Sequence, residues 1–308
     1  MGILVIGATF VDIKGFPFDN YLPTGRNAGR VEYVHGGVAR NVVEDIANVE
    51  LRPTFLSIVD DSPMGDAVIK KLNNHKVNTD YVLTRPDGMG TWLAVFDNNG
   101  DVAGSISKRP NMYPIAELLE EKGDEIFSQV PSVVLEVGLD KEIIKGTLSL
   151  AKKHNVKTFA LVANMSIAAE RRDLLQQFDC VICNQQEAGI LFLDDYEDKS
   201  PEEMRDILAE RIIAANIPAM VVTMGGDGAV YANLQGEMGI CPAKKVQVKD
   251  TTGAGDSFCA GVAIGMTYGK TMAEAVEIGT TLAASVITSS ENVCPRFRPE
   301  EFNIQMEN

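Results

Sequence analysis

Short apolar runs alternate along the chain with longer stretches in which apolar positions recur about every 3.6 residues. The short runs predict six buried strands, at Gly2–Ala8, Thr54–Val59, Ser132–Val137, Val156–Val162, Asp179–Cys183 and Ala219–Thr223. The longer stretches predict five helices, at Ala39–Val49, Pro63–His75, Lys141–Asn155, Ala168–Gln177 and Pro201–Asn216. This alternation is typical of the α/β class, a doubly wound and mostly parallel sheet with helices on both faces. Such sheets bind ligands beyond the carboxyl ends of their strands.

Four short segments break this alternation because no helix follows them directly. They lie near residues 12–17, 30–35, 91–97 and 102–107. The last two flank Asn98-Asn99-Gly100-Asp101, a sequence that favours a tight hairpin turn. We expect the four segments to form a small separate sheet that projects from one domain spanning residues 1–308. Such a sheet would serve as a lid over a site or as a dimer face.

The overall charge of the chain limits the classes of partner that it can bind. Its 308 residues are 45% hydrophobic, enough for a large core, and carry a formal net charge of −15. An acidic surface repels nucleic acid and anionic membranes, so we expect neither as a partner. Five cysteines at irregular spacing favour reduced thiols, and no apolar stretch reaches membrane-spanning length. Together these features predict a cytoplasmic protein.

The segment with the clearest chemical meaning is Asp250-Thr251-Thr252-Gly253-Ala254-Gly255-Asp256, which an apolar run follows from Ser257 to Met266. Two glycines at the point where a loop turns into a helix expose backbone N–H groups, and the helix dipole adds partial positive charge. A carboxylate stands directly beside this anion cradle. Phosphoryl transfer to a hydroxyl requires this combination of charge-stabilising donors and a proton acceptor.

Two common nucleotide-binding motifs are incomplete in this chain. The segment Gly265–Thr271 has one residue too few between its glycines for a Walker loop. The dinucleotide fingerprint fails at Gly253-Ala254-Gly255 because Phe258 occupies the place of the third glycine. An NAD-dependent oxidoreductase is therefore disfavoured.

Three further segments agree with the phosphoryl-transfer interpretation. Gly36-Gly37-Val38-Ala39-Arg40-Asn41 precedes and opens a helix, Asn184-Gln185-Gln186-Glu187 ends a buried strand, and Thr223-Met224-Gly225-Gly226-Asp227-Gly228 ends the next one. In this order and at these distances, the four segments resemble the ribokinase-like, or PfkB-type, carbohydrate kinases. The resemblance covers essentially the whole chain.

The resemblance implies a role for each matching residue. Asp256 would be the catalytic base, and the N–H groups of Gly253, Ala254 and Gly255 would form the anion hole. The residues that match the acceptor site are Asp12, Gly36, Gly37, Asn41 and Glu136. Those that match the ATP site are Asn184, Thr223, Gly225 and Gly228, with Glu187 organising Mg²⁺ largely through water. Asp250 and Thr252 match a K⁺ site, although Asp250 could equally cap its loop.

The identity of the acceptor stays open at this point. The segments Gly29-Arg30-Val31 and Asn111-Met112 resemble the pseudouridine-kinase branch of the family. By contrast, a glutamate at position 136 resembles the ribokinase branch. Ala163-Asn164-Met165 replaces an Asn-Pro or Asp-Pro pair common in the family. Ribose, fructose, pseudouridine and other nucleosides therefore remain candidates. A phosphosugar kinase of the 6-phosphofructokinase type would need extra cations, for which Lys108, Arg109 and Arg40 are available.

Two further expectations come from the resemblance. A non-catalytic nucleotide or sugar sensor on the same fold is the alternative to an enzyme, but a sensor has no use for a base aimed at a phosphoryl group. Similarity to ribokinase also suggests a homodimer in which two lids meet.

Overall fold

A sheet of nine strands forms the centre of the protein in the computed structural model, which describes residues 2–162, 168–170 and 172–305. Its strands, in spatial order, are β13 (Met238–Cys241), β12 (Ala229–Asn233), β11 (Ala219–Thr223), β10 (Cys180–Asn184), β9 (Lys157–Leu161), β8 (Ser132–Glu136), β1 (Leu4–Ile6), β4 (Thr54–Val59) and β5 (Val82–Thr84). Every pairing from β11 to β5 is parallel, and β12 and β13 join antiparallel at one edge. The predicted doubly wound, mostly parallel sheet is confirmed.

Helices cover this sheet. Those of the described residues are α1 (Val38–Asn48), α2 (Pro63–Asn74), α3 (Tyr113–Phe127), α4 (Lys141–His154), α5 (Arg172–Leu175), α6 (Gln185–Phe192), α7 (Pro201–Ala215), α8 (Ala254–Thr267) and α9 (Met272–Val286). Four of the five predicted helices agree with α1, α2, α4 and α7 to within one residue at each end. None of these helices is both long and apolar enough to cross a membrane.

The fifth predicted helix, Ala168–Gln177, is only partly confirmed. Its described part is helical at Ala168 and Ala169 and again in the single turn of α5, and the backbone already turns at Gln176 and Gln177. The family departure at Ala163-Asn164-Met165 lies outside the described residues. The first predicted strand was too long, because only Leu4–Ile6 pairs with β4 and β8.

Two hydrophobic cores lie on opposite faces of the sheet. Leu4 and Ile6 belong to one core with residues of α3 and α4, whereas Val5 belongs to the other with residues of α1, α8 and α9. Successive side chains of a strand point to opposite faces, so this alternation shows that β1 is buried on both sides. The two cores explain why the central strands are continuously apolar in sequence.

A second sheet of four strands lies outside the central one. Its spatial order is β3 (Gly29–Gly36), β2 (Phe10–Pro17), β6 (Gly90–Phe96) and β7 (Val102–Lys108), with β2 and β6 parallel and the outer pairs antiparallel. The four segments that break the alternation in the sequence do form this sheet. It stays half-exposed, and Tyr33 and Ile106 keep 63% and 69% of their surface in solvent.

The described helices differ in how their first turns are capped. Side-chain hydroxyls cap the starts of α2, α7 and α9, where Ser62, Ser200 and Thr271 accept a backbone N–H. By contrast, α1 starts after Gly37 (φ 97°) and α8 after Gly253 (φ 82°), and neither start has a side-chain cap. Their first-turn N–H groups therefore lack the usual partner, and residues of both starts line the cavities described next.

Candidate active site

The side chains of Asp256 and Asn41 meet where α8 and α1 begin. Asn41 Nδ2 donates to Asp256 Oδ2 over 2.6 Å, although the two residues are 215 positions apart. Asn41 Oδ1 is buried and has no hydrogen-bond partner among the described residues. An unsatisfied buried acceptor is costly, so this oxygen is suited to a donor that arrives with a ligand.

The carboxyl group of Asp256 holds its proton unusually well. Desolvation by the surrounding protein raises its pKa to about 7, although the hydrogen bond from Asn41 and the charge of Arg40 act in the opposite direction. The nearby carboxylates of Glu136 and Asp12 raise this pKa further. A carboxyl group with a pKa near neutrality is well matched to general base catalysis.

The turn before α8 requires glycine at position 253, whereas position 255 has room for a side chain. A Cβ atom at Gly253 would lie 2.1 Å from Asn292 O, and its φ of 82° is itself unfavourable for other residues. A Cβ atom at Gly255 would meet nothing within 4 Å. Of the three predicted anion-hole donors, the Ala254 N–H already donates to Thr251 O over 3.2 Å.

One cavity of about 550 Å³ opens on one side of Asp256. The predicted ATP-site residues on its wall are Asn184, Thr223 and Gly225, together with Glu187 and Gly255. We call it the nucleotide cavity. Gly228 is not on its wall: a Cβ atom there would lie 2.1 Å from Cys241 O, so this glycine shapes the turn behind the cavity.

A second cavity of about 650 Å³ opens on the other side of Asp256, and we call it the acceptor cavity. The predicted residues on its wall are Asp12, Gly37, Asn41, Glu136, Thr252 and Gly253. Gly36 is not on the wall but lies behind Asp12, since a Cβ atom there would be 2.4 Å from Asp12 Oδ1. Of the residues that the structure describes, Asp256 and Val38 alone line both cavities. The carboxylate therefore stands at the junction between two ligand-sized spaces.

Two further carboxyl groups of the acceptor cavity have raised pKa values. Glu136 ends β8, and desolvation raises its pKa against the hydrogen bond from Ala8 N and the charge of Arg109. Glu136 Oε2 accepts the Ala8 N–H over 2.9 Å. Desolvation also raises the pKa of Asp12. These groups are held close together in a space that excludes much of the solvent.

The side chains of the predicted metal-site residues Glu187 and Asp250 accept hydrogen bonds from the backbone N–H groups of neighbouring residues. Asn184 and Glu187 form a capping box at the start of α6, in which each side chain accepts the other residue's N–H over 2.8 Å. Glu187 Oε1 is left for other partners, and desolvation raises the pKa of this carboxyl group. Asp250 lies in neither cavity, and its Oδ1 accepts the Thr252 N–H over 2.8 Å. Asp250 therefore does cap its loop.

The three cations considered from the sequence have different surroundings. Arg40 is 1% exposed and bonds Glu44 Oε2 over 2.6 Å and the carbonyl oxygens of the His35–Gly36 segment. Lys108 pairs with Asp87 over 2.6 Å at the surface. Among the described residues, Arg109 is the one cation on the wall of the acceptor cavity.

Several residues of the acceptor cavity are not among the predicted site residues. Phe10, Trp92 and Asp140 line it together with Arg109. From the sequence, packing is the simpler interpretation of Trp92, although the face of a base or sugar could also use this ring. The available signal was strand alternation: Phe10 and Asp12 are two apart on β2, and Asp12 pairs with Trp92 on β6. Asp140 follows β8 in a loop and gives no comparable signal.

Known proteins are similar to this chain over most of its length. Residues 2–294 match the family model described as pfkB family carbohydrate kinase. The guanosine-inosine kinase of Exiguobacterium acetylicum is 35% identical over 94% of this chain and 95% of its own length. The pseudouridine kinase of Escherichia coli K12 is 27% identical over 89% and 86%.

Solved structures share the fold. The Arabidopsis thaliana ribokinase complexed with ribose and ATP superposes with a TM-score of 0.82 at 19% identity, covering 96% of both chains. The adenosine kinase of Sinorhizobium meliloti superposes with a TM-score of 0.75 at 22% identity, covering 95% of both chains. These two likenesses concern the architecture alone.

Proposed function

The chain belongs to the pfkB family of carbohydrate kinases, and we propose that it transfers the γ-phosphoryl group of ATP to a hydroxymethyl group of a nucleoside. Membership makes it a phosphotransferase that acts on a hydroxyl group. The observation that carries the proposal is the position of Asp256, which lines both the nucleotide cavity and the acceptor cavity. A phosphoryl group that passes from one cavity to the other must pass this carboxylate.

Asp256 is the proposed general base. With a pKa of about 7, it is substantially ionised at neutral pH and can accept the proton of the acceptor hydroxyl as that oxygen attacks the phosphorus. Asn41 keeps Asp256 Oδ2 in place, which leaves Oδ1 for the hydroxyl. The unpartnered Asn41 Oδ1 is proposed to accept a hydrogen bond from the same substrate.

Backbone N–H groups at the start of α8 are the proposed anion hole. Those of Gly253 and Gly255 are suited to stabilise the negative charge that spreads over the transferring group, and the helix dipole adds to this effect. The Ala254 N–H contributes if its bond to Thr251 O gives way on binding. Because Gly255 faces open space, a phosphate can approach the backbone closely there.

The nucleotide cavity has no lysine or arginine on its wall among the described residues. We assign the ATP phosphates and their surroundings to Asn184, Thr223 and Gly225, with Gly228 supporting the turn. Glu187, whose Oε1 is free of the capping box, fits a Mg²⁺ ion held mainly by water and phosphate oxygens. When bound, Mg²⁺ would neutralise charge on the phosphates.

The charge of the acceptor cavity favours an uncharged acceptor. In the described part of the chain, its wall carries four carboxyl residues, Asp12, Glu136, Asp140 and Asp256, and one cation, Arg109. A phosphosugar would bring an additional dianion into this surrounding, and Arg40 and Lys108 are already paired elsewhere. The relatives named above act on guanosine, inosine and pseudouridine, so a nucleoside is the preferred class.

The direct test is incubation of the protein with Mg·ATP and a panel of nucleosides, free sugars and phosphosugars, with release of ADP as the measurement. We expect the highest turnover with a nucleoside and formation of its 5′-phosphate. Turnover with phosphosugars alone would replace the proposal by a phosphosugar kinase. Binding of ATP and nucleoside without turnover would favour a sensor.

Two finer features belong to the same proposal. We propose K⁺ activation through Asp250 and Thr252, which unchanged activity after replacement of K⁺ by an inert organic cation would refute. We also propose a homodimer through the small sheet, supported by the exposed apolar side chains of Val31, Tyr33 and Ile106. A monomer mass in light scattering at micromolar concentration would refute that assembly. The five free cysteines support action in the cytoplasm.

A further inference from the structure

The acceptor cavity extends from buried to exposed residues. Its floor holds buried residues, Asn41 at 5% and Glu136 at 7% exposure, whereas Arg109 and Asp140 are exposed at its rim. Phe10 and Trp92 line the same space. A ribose at the floor, with its hydroxymethyl group near Asp256, would place its base among these aromatic and charged groups.

The two rim charges are held near one another by one loop. Arg109 Nη1 donates to Gly138 O over 3.1 Å, and Asp140 follows two residues later. One bond to Gly138 leaves most of the guanidinium N–H groups available.

The carboxylate of Asp140 is not used by its own helix. Asp140 is the N-cap residue of α4, yet its side chain accepts no capping hydrogen bond. Aspartate at this position ordinarily accepts a first-turn N–H. The carboxylate is therefore available to the cavity that it lines.

The aromatic rings are fixed by packing. Phe10 lies against Gly90 so closely that a Cβ atom there would be 2.4 Å from its ring. Trp92 makes an edge contact with Phe96, with 6.4 Å between ring centroids. Rings held in this way provide an apolar surface for the face of a flat heterocycle.

From this arrangement we infer that Arg109 and Asp140 select the nucleobase by pairing with a carbonyl oxygen and an adjacent ring N–H. This inference rests on the proposed nucleoside acceptor. A guanidinium only donates and an ionised carboxylate only accepts, so the pair requires an acceptor beside a donor. Guanine, hypoxanthine and uracil present this edge, whereas adenine and cytosine present an amino donor beside a ring-nitrogen acceptor. The enzyme would thus prefer keto-type bases to amino-type bases.

The test is a comparison of kcat/KM for inosine and uridine with that for adenosine and cytidine, accompanied by the Kd of each nucleoside. A well-formed bidentate pair corresponds to roughly 10- to 100-fold discrimination between bases. We expect preferences of this size for inosine over adenosine and for uridine over cytidine. Equal values for the two members of each pair would overturn the inference.

Variants of Asp140 and Arg109 test whether these two rim residues cause the preference for keto-type bases. Asp140→Asn supplies an amide that can accept or donate, so we expect the inosine-to-adenosine ratio to fall at least several-fold, as the carboxylate no longer excludes adenine. Arg109→Met should also lower the ratio. Glu142→Gln is the matched control, because it removes a carboxylate from the same first turn of α4 but not from the cavity wall. A wild-type ratio in both rim variants would contradict the assignment.

Failure of this inference can be told apart from failure of the proposed function. If no nucleoside is phosphorylated, the nucleoside-kinase proposal is wrong, and the Kd values alone decide whether the rim selects bases. If all nucleosides are phosphorylated with equal efficiency, the kinase proposal stands and only base selection is wrong.

Discussion

The two cavities that meet at Asp256 differ in how they can hold a ligand. Four carboxyl residues and one arginine line the acceptor cavity, whereas no lysine or arginine lines the nucleotide cavity among the described residues. Under the proposed function, backbone N–H groups, amides and a metal ion would therefore supply the attraction for the phosphates. We therefore expect substitutions of side chains to affect mainly the binding of the acceptor, and changes of backbone geometry to affect mainly the binding of the nucleotide.

The largest effect should come from the residue that the two cavities share. We expect Asp256→Asn to lower kcat by about 10²–10⁴-fold, because general base catalysis contributes this much. The Kd of ATP, measured by calorimetry, should stay near the wild-type value. Asp66→Asn, an exposed change in α2, is the control. Near-normal turnover of the Asp256 variant would contradict its role as the general base between the two cavities.

The glycine turn provides a paired test of the backbone. Gly253→Ala should lower the free energy of unfolding by about 1–3 kcal/mol, because a positive φ and the Asn292 carbonyl both oppose a side chain. Gly255→Ala should leave the free energy of unfolding unchanged and raise the KM for ATP, since the new methyl group would project into the nucleotide cavity. Urea unfolding and ATP titrations measure the two effects. Equal destabilisation by both changes would contradict the local geometry.

The acidity of the shared carboxyl group should appear in the pH dependence of the acceptor reaction. Because desolvation raises the pKa of Asp256 to about 7, kcat/KM should decline below that pH as the base becomes protonated, approaching roughly tenfold per pH unit. The bond from Asn41 lowers this pKa. Asn41→Leu should therefore move the acidic limb to higher pH. A limb that remains near pH 4 in the wild type would show that the pKa of the base is not raised.

The smallest effect should be confined to the nucleotide side. Glu187→Gln preserves a residue type that supports the capping box, so the thermal midpoint should change little while the Mg²⁺ concentration for half-maximal activity rises several-fold. Glu197→Gln, on the wall of the same cavity, is the matched control. Identical metal titrations for Glu187→Gln and the wild type would refute the metal role.

Local patterns were enough to predict much of the fold. The continuously apolar strands and the helices with regular spacing were found because burial on both sheet faces, or on one helix face, leaves a periodic signature. The hairpin at Asn98–Asp101 was found because turn residues separate its two strands. α3 was not predicted, although its apolar residues Ile115, Leu119 and Ile126 are buried. The antiparallel edge strands β12 and β13 were also missed.

The sequence alone was enough to predict phosphoryl-transfer chemistry, because a glycine turn, a carboxylate and a helix start are adjacent in the chain and would act through local geometry. Tertiary structure alone decided which partners reach that carboxylate, since Asn41 is 215 positions away and meets Asp256 only when α1 and α8 converge. It also buried the Arg40–Glu44 pair, whose members are one turn apart on α1, and left Arg109 and Asp140 at the cavity rim. Burial and proximity of distant segments have no local signature, which is why the acceptor cavity had to be seen before it could be interpreted.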